Sequence, residues 1–179
     1  MRLWAPIVAP RFGAPCRSAA GVAEQEAWLR AYFAREDDFY FIVETPGGLP
    51  VGTHGLYHVS GGSGEAGRLI IRPEVPAAVP TSLITFDLAF GEMGLKELRG
   101  TSVSTNEKVH SYVRKFGFRQ TGIEAGARVI AGQPADIVHF AMTAAEWSQN
   151  RAAVLPIARY AEKQIRAWET AQLQRAGQP

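Results

Sequence analysis

Residues 104–122 read STNEKVHSYVRKFGFRQTG, and the arrangement of the chain is worked out from them. Ser104 and Glu107 stand three apart, the spacing of a capping box at the start of a helix. Val109, Val113 and Phe116 recur at helical intervals as a buried stripe. Gly117 would close the helix, because a glycine accepts the left-handed conformation common at helix ends. The stretch before it, KELRGTSVS (96–104), has strand character. The stretch after it, FRQTGIEAGARVIAGQPADIVHFAMT (118–143), reads as two strands around the turn Gly132-Gln133-Pro134.

Working back towards the start, RPEVPAAVPTS (72–82) links a strand, RLIIRP (68–73), to an apolar helix expected over 80–93. Leu83, Phe86, Phe90 and Met93 give that helix one face for a sheet, Pro80 suits its first position, and Gly94 ends it. Upstream, FYFIVE (39–44) and VGTHGLYHV (51–59) are antiparallel strands around the turn TPGG, and SGGSGEAG (60–67) reads as a flexible tip. Residues 21–34 form a helix with Val22, Leu29, Tyr32 and Phe33 near one side and Trp28 at its margin. Residues 1–20 are irregular. The tail, 143–175, is a long amphipathic helix that Pro156 bends or divides. Its Trp147, Leu155, Tyr160, Ile165 and Trp168 cover the domain or a partner, so a homodimer is one expectation. The order gives a mixed α+β class, an α/β sheet with helices on both faces, in a single domain over 1–179.

Composition narrows the function classes. The 179 residues carry 46% hydrophobic and 20% charged side chains, ordinary for a globular protein. A net charge of +2 gives no argument for nucleic acid. One cysteine, Cys16, excludes an internal disulfide framework and suits a reducing cytoplasm. No apolar run reaches the roughly 18 residues of a membrane helix, and MRLWAPIVAPRFG does not read as a signal peptide. Four histidines and one cysteine offer no metal-ligand spacing.

The region from Phe39 to Trp147 resembles the GNAT superfamily of acyl-CoA-dependent N-acyltransferases. In STNEKVHSYVRKFGFRQTG, residues Asn106, Lys115, Gly117, Phe118 and Gly122 fall where that superfamily has its Asn, Lys-x-Gly-Phe and Gly positions. The IRPE strand end with FGEMGLKELRG, and the closing ADIVHFAMTAAEW, support the match. The last is similar to the branch that acetylates ribosomal-protein N-termini and amino-sugar nucleotides. The resemblance implies a splayed, mostly antiparallel sheet with the pantetheine of acetyl-CoA lying in the V-shaped gap like an extra strand. A loop and helix N-terminus would hold the pyrophosphate. An amine of a small molecule or sugar nucleotide, or a protein N-terminus, would attack the thioester directly.

On this resemblance RPEVPAAVPTS is the pyrophosphate loop, but Pro76 stands at the arginine position and Ala77, Val79 and Thr81 at the glycine positions. N–H groups of Ala77, Ala78, Val79, Thr81 and Ser82, with two hydroxyls, remain as expected donors. Lost donors at roughly 1–3 kcal/mol each weaken coenzyme binding about 10- to 100-fold. Ile71 offers the strand end, and Arg72, Asn106 and Lys115 are further coenzyme contacts; Arg72 and Lys115 read equally as solvated cations. The superfamily's leaving-group tyrosine position is Val113, with Tyr112 beside it as a displaced acid or a packed tyrosine. Glu65 is a candidate general base or an exposed loop glutamate. His54 and His58, two intervals apart on one strand, are expected on one side, one of them a base or both on an exposed face. Three functions follow: acetyl-CoA-dependent transfer, transfer from a carrier-bound or longer acyl donor, and a binding module without catalysis.

Overall fold

The computed structural model describes residues 22–130 and 132–176. The expectations for residues 1–20 lie outside them. The elements in order are α1 (Val22–Phe33), β1 (Phe39–Glu44), β2 (Pro50–Ser60), β3 (Ser63–Ile71), α2 (Ala78–Asp87), β4 (Glu97–Val103), α3 (Glu107–Lys115), β5 (Arg119–Ile130), β6 (Gln133–Thr143) and α4 (Ala144–Ala176). A π-helical turn, Leu88–Glu92, extends α2 to Gly94, whose φ of 64° ends it. The six strands form one sheet in the order β1-β2-β3-β4-β6-β5. Every neighbouring pair is antiparallel except β3 and β4.

Residues 60–67 are a tight hairpin rather than a flexible tip. Gly61 and Gly62 have φ of 56° and 78°, the paired positive values of a two-residue turn whose twist matches the strands. With that turn settled, β3 begins at Ser63. Two irregularities follow, each with a non-glycine residue at φ 54°: His58 in β2 and Arg68 in β3. At Arg68 the pairing moves from Thr53↔Ile70 to Gly55↔Gly67, so β3 carries one extra residue there.

One face of the sheet is apolar. Leu56, Leu98, Val138, Phe140 and Met142 point from the strands to Phe86 of α2, Phe116 after α3, and Trp147, Val154 and Ala158 of α4. Phe86 meets Phe116, Phe118 and Trp147 edge-on with centroids 5.4–5.6 Å apart. Asp87 ties α2 to α4, accepting from Trp147 Nε1 at 3.0 Å and from Arg151 at 2.7 and 2.8 Å. The hydrogen bond and charge of Arg151 hold the Asp87 carboxyl below its ordinary range. On the opposite face α1 approaches β1, where the Tyr32 and Tyr40 rings meet edge-on, 6.2 Å apart. Phe33 is exposed while Tyr32 is half-buried; the side chains of Val22, Trp28 and Leu29, expected on or beside the same side of α1, lie outside what the structure describes.

α4 runs unbroken through Pro156. Val154, Ala158, Ala161 and Ile165 are buried at helical intervals while Pro156 is exposed, so burial on one side sustains the helix through a residue that withholds a hydrogen bond. Trp147 and Ile165 are buried as the apolar pattern of the tail predicts; Tyr160 faces solvent. The distal part of α4 crosses the strand ends: Ile165 and Trp168 join Val51, Ile71, Val75 and Ala77 in a second apolar cluster.

Candidate active site

β3 and β4 pair only through Ser63↔Glu97, Gly64↔Leu98 and Glu65↔Arg99. Beyond Glu65 the pairing of the strands ends, so β3 from Ala66 onward runs beside residues 100–103 of β4 without ladder bonds, across a gap roughly 13 Å long at ~3.3 Å per residue. α2 and α3 both begin at its open end, because each follows one of the parting strands.

Regular pairing through Gly55↔Gly67, Leu56↔Ala66 and Tyr57↔Glu65 sets which residues share a face. Leu56 and Ala66 belong to the helix-covered face. Tyr57, Glu65 and Gly67 belong to the other, with Glu65 at the point of parting. His58 Nδ1 lies 3.4 Å from Glu65 Oε1. The Arg68 guanidinium stands over the Tyr57 ring, 4.1 Å from its centroid, and donates to both oxygens of Asp38 at 2.8 and 2.9 Å. Burial, and then the charge of Glu65, push Tyr57 up to about 12.

His54 and His58 do not share a side. His54 is buried against α2, and the bulge at His58 turns that side chain, 70% exposed, towards Glu65. The Thr85 hydroxyl donates to the Thr81 carbonyl at 2.9 Å, so His54 Nδ1 carries the proton that reaches Thr85 Oγ1 at 2.8 Å. Burial lowers His54 to about 4. A neutral imidazole enclosed by Phe86 and Thr85 is a packing group, not a base open to the gap.

The loop after β3 is folded upon itself. Val75 N–H donates to the Arg72 carbonyl at 3.0 Å, and Ala77 N–H to the Val75 carbonyl at 2.8 Å, a tight turn centred on Pro76. Thr81 donates to the Ala77 carbonyl through its N–H at 3.0 Å and its hydroxyl at 2.7 Å. Ser82 shares its hydroxyl with Tyr112, 2.8 Å away. Of the five expected N–H donors, Ala78 and Val79 alone have no partner among the described residues; α2 begins at Ala78, with Pro80 inside its first turn. Arg72 is engaged too: it meets Glu74 at 2.6 Å and stands over the Trp168 ring at 5.5 Å. Ile71, Val75 and Ala77 are buried beneath α4, so the loop serves as a seat for that helix.

Asn106, rather than Ser104, caps α3: its side-chain oxygen accepts from Val109 N–H at 3.3 Å, while Ser104 N–H pairs with the Asp136 carbonyl. Gly117 follows α3 at φ 102°. The Tyr112 hydroxyl donates to the Ala78 carbonyl at 2.9 Å, and burial pushes it up to about 12. Lys115 is exposed on α3, in a shallow groove with Lys108 and Ser111. The structure thus gathers Tyr112, Ala78, Val79 and Ser82 at the open end of the gap and leaves Glu65 at its closed end. Among the described residues no cluster of His, Cys, Asp or Glu is placed to hold a metal ion, and no helix is long and apolar enough to cross a membrane.

Sequence reasoning missed Tyr57 and Arg68, and it named Trp168 as a covering residue without placing it over the loop after β3. The glycine pair at 61–62 signals the hairpin, and simple counting from it places His58 opposite Glu65. The bulge then shifts the register by one and makes Tyr57 the partner.

Neither a protein-family model nor a curated protein sequence matches this chain. Solved structures do. A GCN5-related N-acetyltransferase from Brucella melitensis superimposes with a TM-score of 0.66 at 24% identity, covering 78% of this chain and 66% of that one. A single-residue variant of spermidine N-acetyltransferase from Vibrio cholerae gives 0.65 at 19% identity, covering 70% and 76%. A probable acetyltransferase of the GNAT family from Chromobacterium violaceum gives 0.61 at 24%, covering 68% and 67%. This chain therefore has the GNAT fold, and it spans just under two thirds of the Brucella chain.

Proposed function

We propose that this GNAT-fold chain is an N-acyltransferase that takes an acyl thioester, acetyl-CoA in the first instance, into the gap between β3 and β4. It passes the acyl group to a primary amine of a small molecule or sugar nucleotide. The observation that carries this reading is the parting of β3 from β4 at Glu65, which joins an extended slot to a carboxylate at its closed end.

The residues divide the work. Backbone groups of residues 66–71 and 100–103 line a slot suited to an extended amide-bearing arm. Asn106 stands at the open end with its amide N–H groups outside the helix cap. Glu65 accepts the proton that the amine releases as its nitrogen bonds to the thioester carbonyl. The C–S bond then breaks, and the departing thiolate takes a proton from solvent. His58, exposed and 3.4 Å from Glu65, is placed to pass the first proton on to water. Tyr112 is bonded to Ala78 and Ser82, which suits bridging α2 and α3 better than protonating sulfur.

The slot suits the arm better than the loop at 72–82 suits a pyrophosphate: of its five expected N–H donors only those of Ala78 and Val79 are left without a partner among the described residues, and Arg72 is paired with Glu74. That observation favours a second reading, in which the acyl group arrives on a pantetheine without the adenosine diphosphate, as on a carrier protein. The test is thiol release from acetyl-CoA and from S-acetylpantetheine, each with a panel of amines. Release that depends on an added amine is expected. Comparable KM for the two donors selects the second reading, and no release from either overturns acyl transfer.

A further inference from the structure

We propose that Tyr57 is the positioning residue for Glu65, its hydroxyl holding one carboxylate oxygen so that the other faces the acceptor amine where β3 leaves β4. The inference rests on the acyl-transfer reading and assigns to this chain a partner for its base.

Four features of the molecule bring the Tyr57 side chain beside Glu65, whose carboxylate also meets His58 Nδ1 at 3.4 Å. Tyr57 and Glu65 are directly paired across β2 and β3, so their side chains rise from the same face. Gly67, two residues on, provides the room: a methyl group there would stand 2.6 Å from the Tyr57 oxygen, closer than any real contact. The Arg68 guanidinium caps the ring at 4.1 Å and is itself held by Asp38. Arg68 adopts φ 54°, a left-handed conformation unfavourable for a side-chain-bearing residue, and the bulge that imposes it carries the guanidinium to the ring. Charged or titratable groups around the pair are Asp38, His58, Arg68 and Arg99, the β4 partner of Glu65. A tyrosine hydroxyl keeps its proton at neutral pH and can only donate to an ionised carboxylate.

The experiment is steady-state thiol release by the full chain with whichever donor it accepts, comparing wild type, Y57F, E65Q and the double variant. Y57F removes the hydroxyl and keeps the ring beneath Arg68. We expect kcat to fall about tenfold with the donor KM unchanged, and the loss to vanish in the E65Q background, where there is no base left to orient. G67A, whose methyl group displaces the hydroxyl without deleting it, gives the same loss and keeps the test open should Y57F fold poorly. With turnover in the wild type, an unchanged kcat in Y57F and G67A overturns the inference alone, as does an equal Y57F loss with and without Glu65. Absence of turnover in the wild type with every donor and amine overturns the acyl-transfer reading, and the inference with it.

Discussion

The Tyr112 hydroxyl donates to the Ala78 carbonyl at 2.9 Å and accepts from the Ser82 hydroxyl at 2.8 Å, joining α3 to the first turn of α2. The two helices follow the two strands that flank the slot, so this bridge ties them together at its open end. Tyr112→Phe leaves the ring in place and breaks both bonds, with an expected loss of about 1–2 kcal/mol in urea unfolding. Turnover is expected to change less than stability. A kcat that collapses while the unfolding midpoint stays put would make Tyr112 the acid for the leaving sulfur after all.

His54 predicts a pH dependence of stability. Its folded value, about 4, lies below the ordinary value of 6.5, so the native state favours the neutral ring. The contribution is complete above pH 6.5 and is lost as pH falls from there towards 4, because the unfolded chain takes up the proton first. The whole effect is bounded at roughly 3 kcal/mol. Unfolding followed across that window should show a decline in wild type that is shallower in His54→Asn; parallel curves would contradict the assignment.

Glu169 anchors the far end of α4. It is buried, accepts from the Thr45 hydroxyl, and takes the Gly47 N–H at 3.0 and 3.2 Å on its two oxygens. Glu169→Ala strands both donors and should cost about 1–3 kcal/mol. The local readout is amide exchange: Gly47 and the turns of α4 around Ile165 should lose protection before the sheet does. Uniform loss across the molecule would mean that the contact belongs to global stability instead.

Arg72 is held by Glu74 and Trp168. Arg72→Ala should therefore leave the ratio of KM for acetyl-CoA to KM for S-acetylpantetheine nearly unchanged. A selective rise of about tenfold or more for acetyl-CoA, equivalent to 1.4 kcal/mol, would show that the guanidinium reaches a phosphate.

Much of the fold was legible because its signals are local. The aromatic and β-branched run FYFIVE, the period of Leu83, Phe86 and Phe90, and Gly117 after α3 each report a conformation set by near neighbours. The motif from Asn106 to Gly122 pointed to the fold that the solved structures share. The site was less legible. Glu65 was noticed as a residue but assigned to a loop, since a run of Gly and Ser reads as flexible whether or not a tight turn organises it.

The sequence by itself determined the mixed α+β class, the order of the elements, and the absence of glycines from the loop after β3. Tertiary structure alone decided what that loop does. Ile165 and Trp168 lie far along the chain from Val75 and Ala77, and no local period reports that they meet. It also decided which side chains face Glu65. One extra residue in a strand exchanges the faces of everything beyond it, and the bulges at His58 and Arg68 depend on how two strands settle against each other and the helices above them.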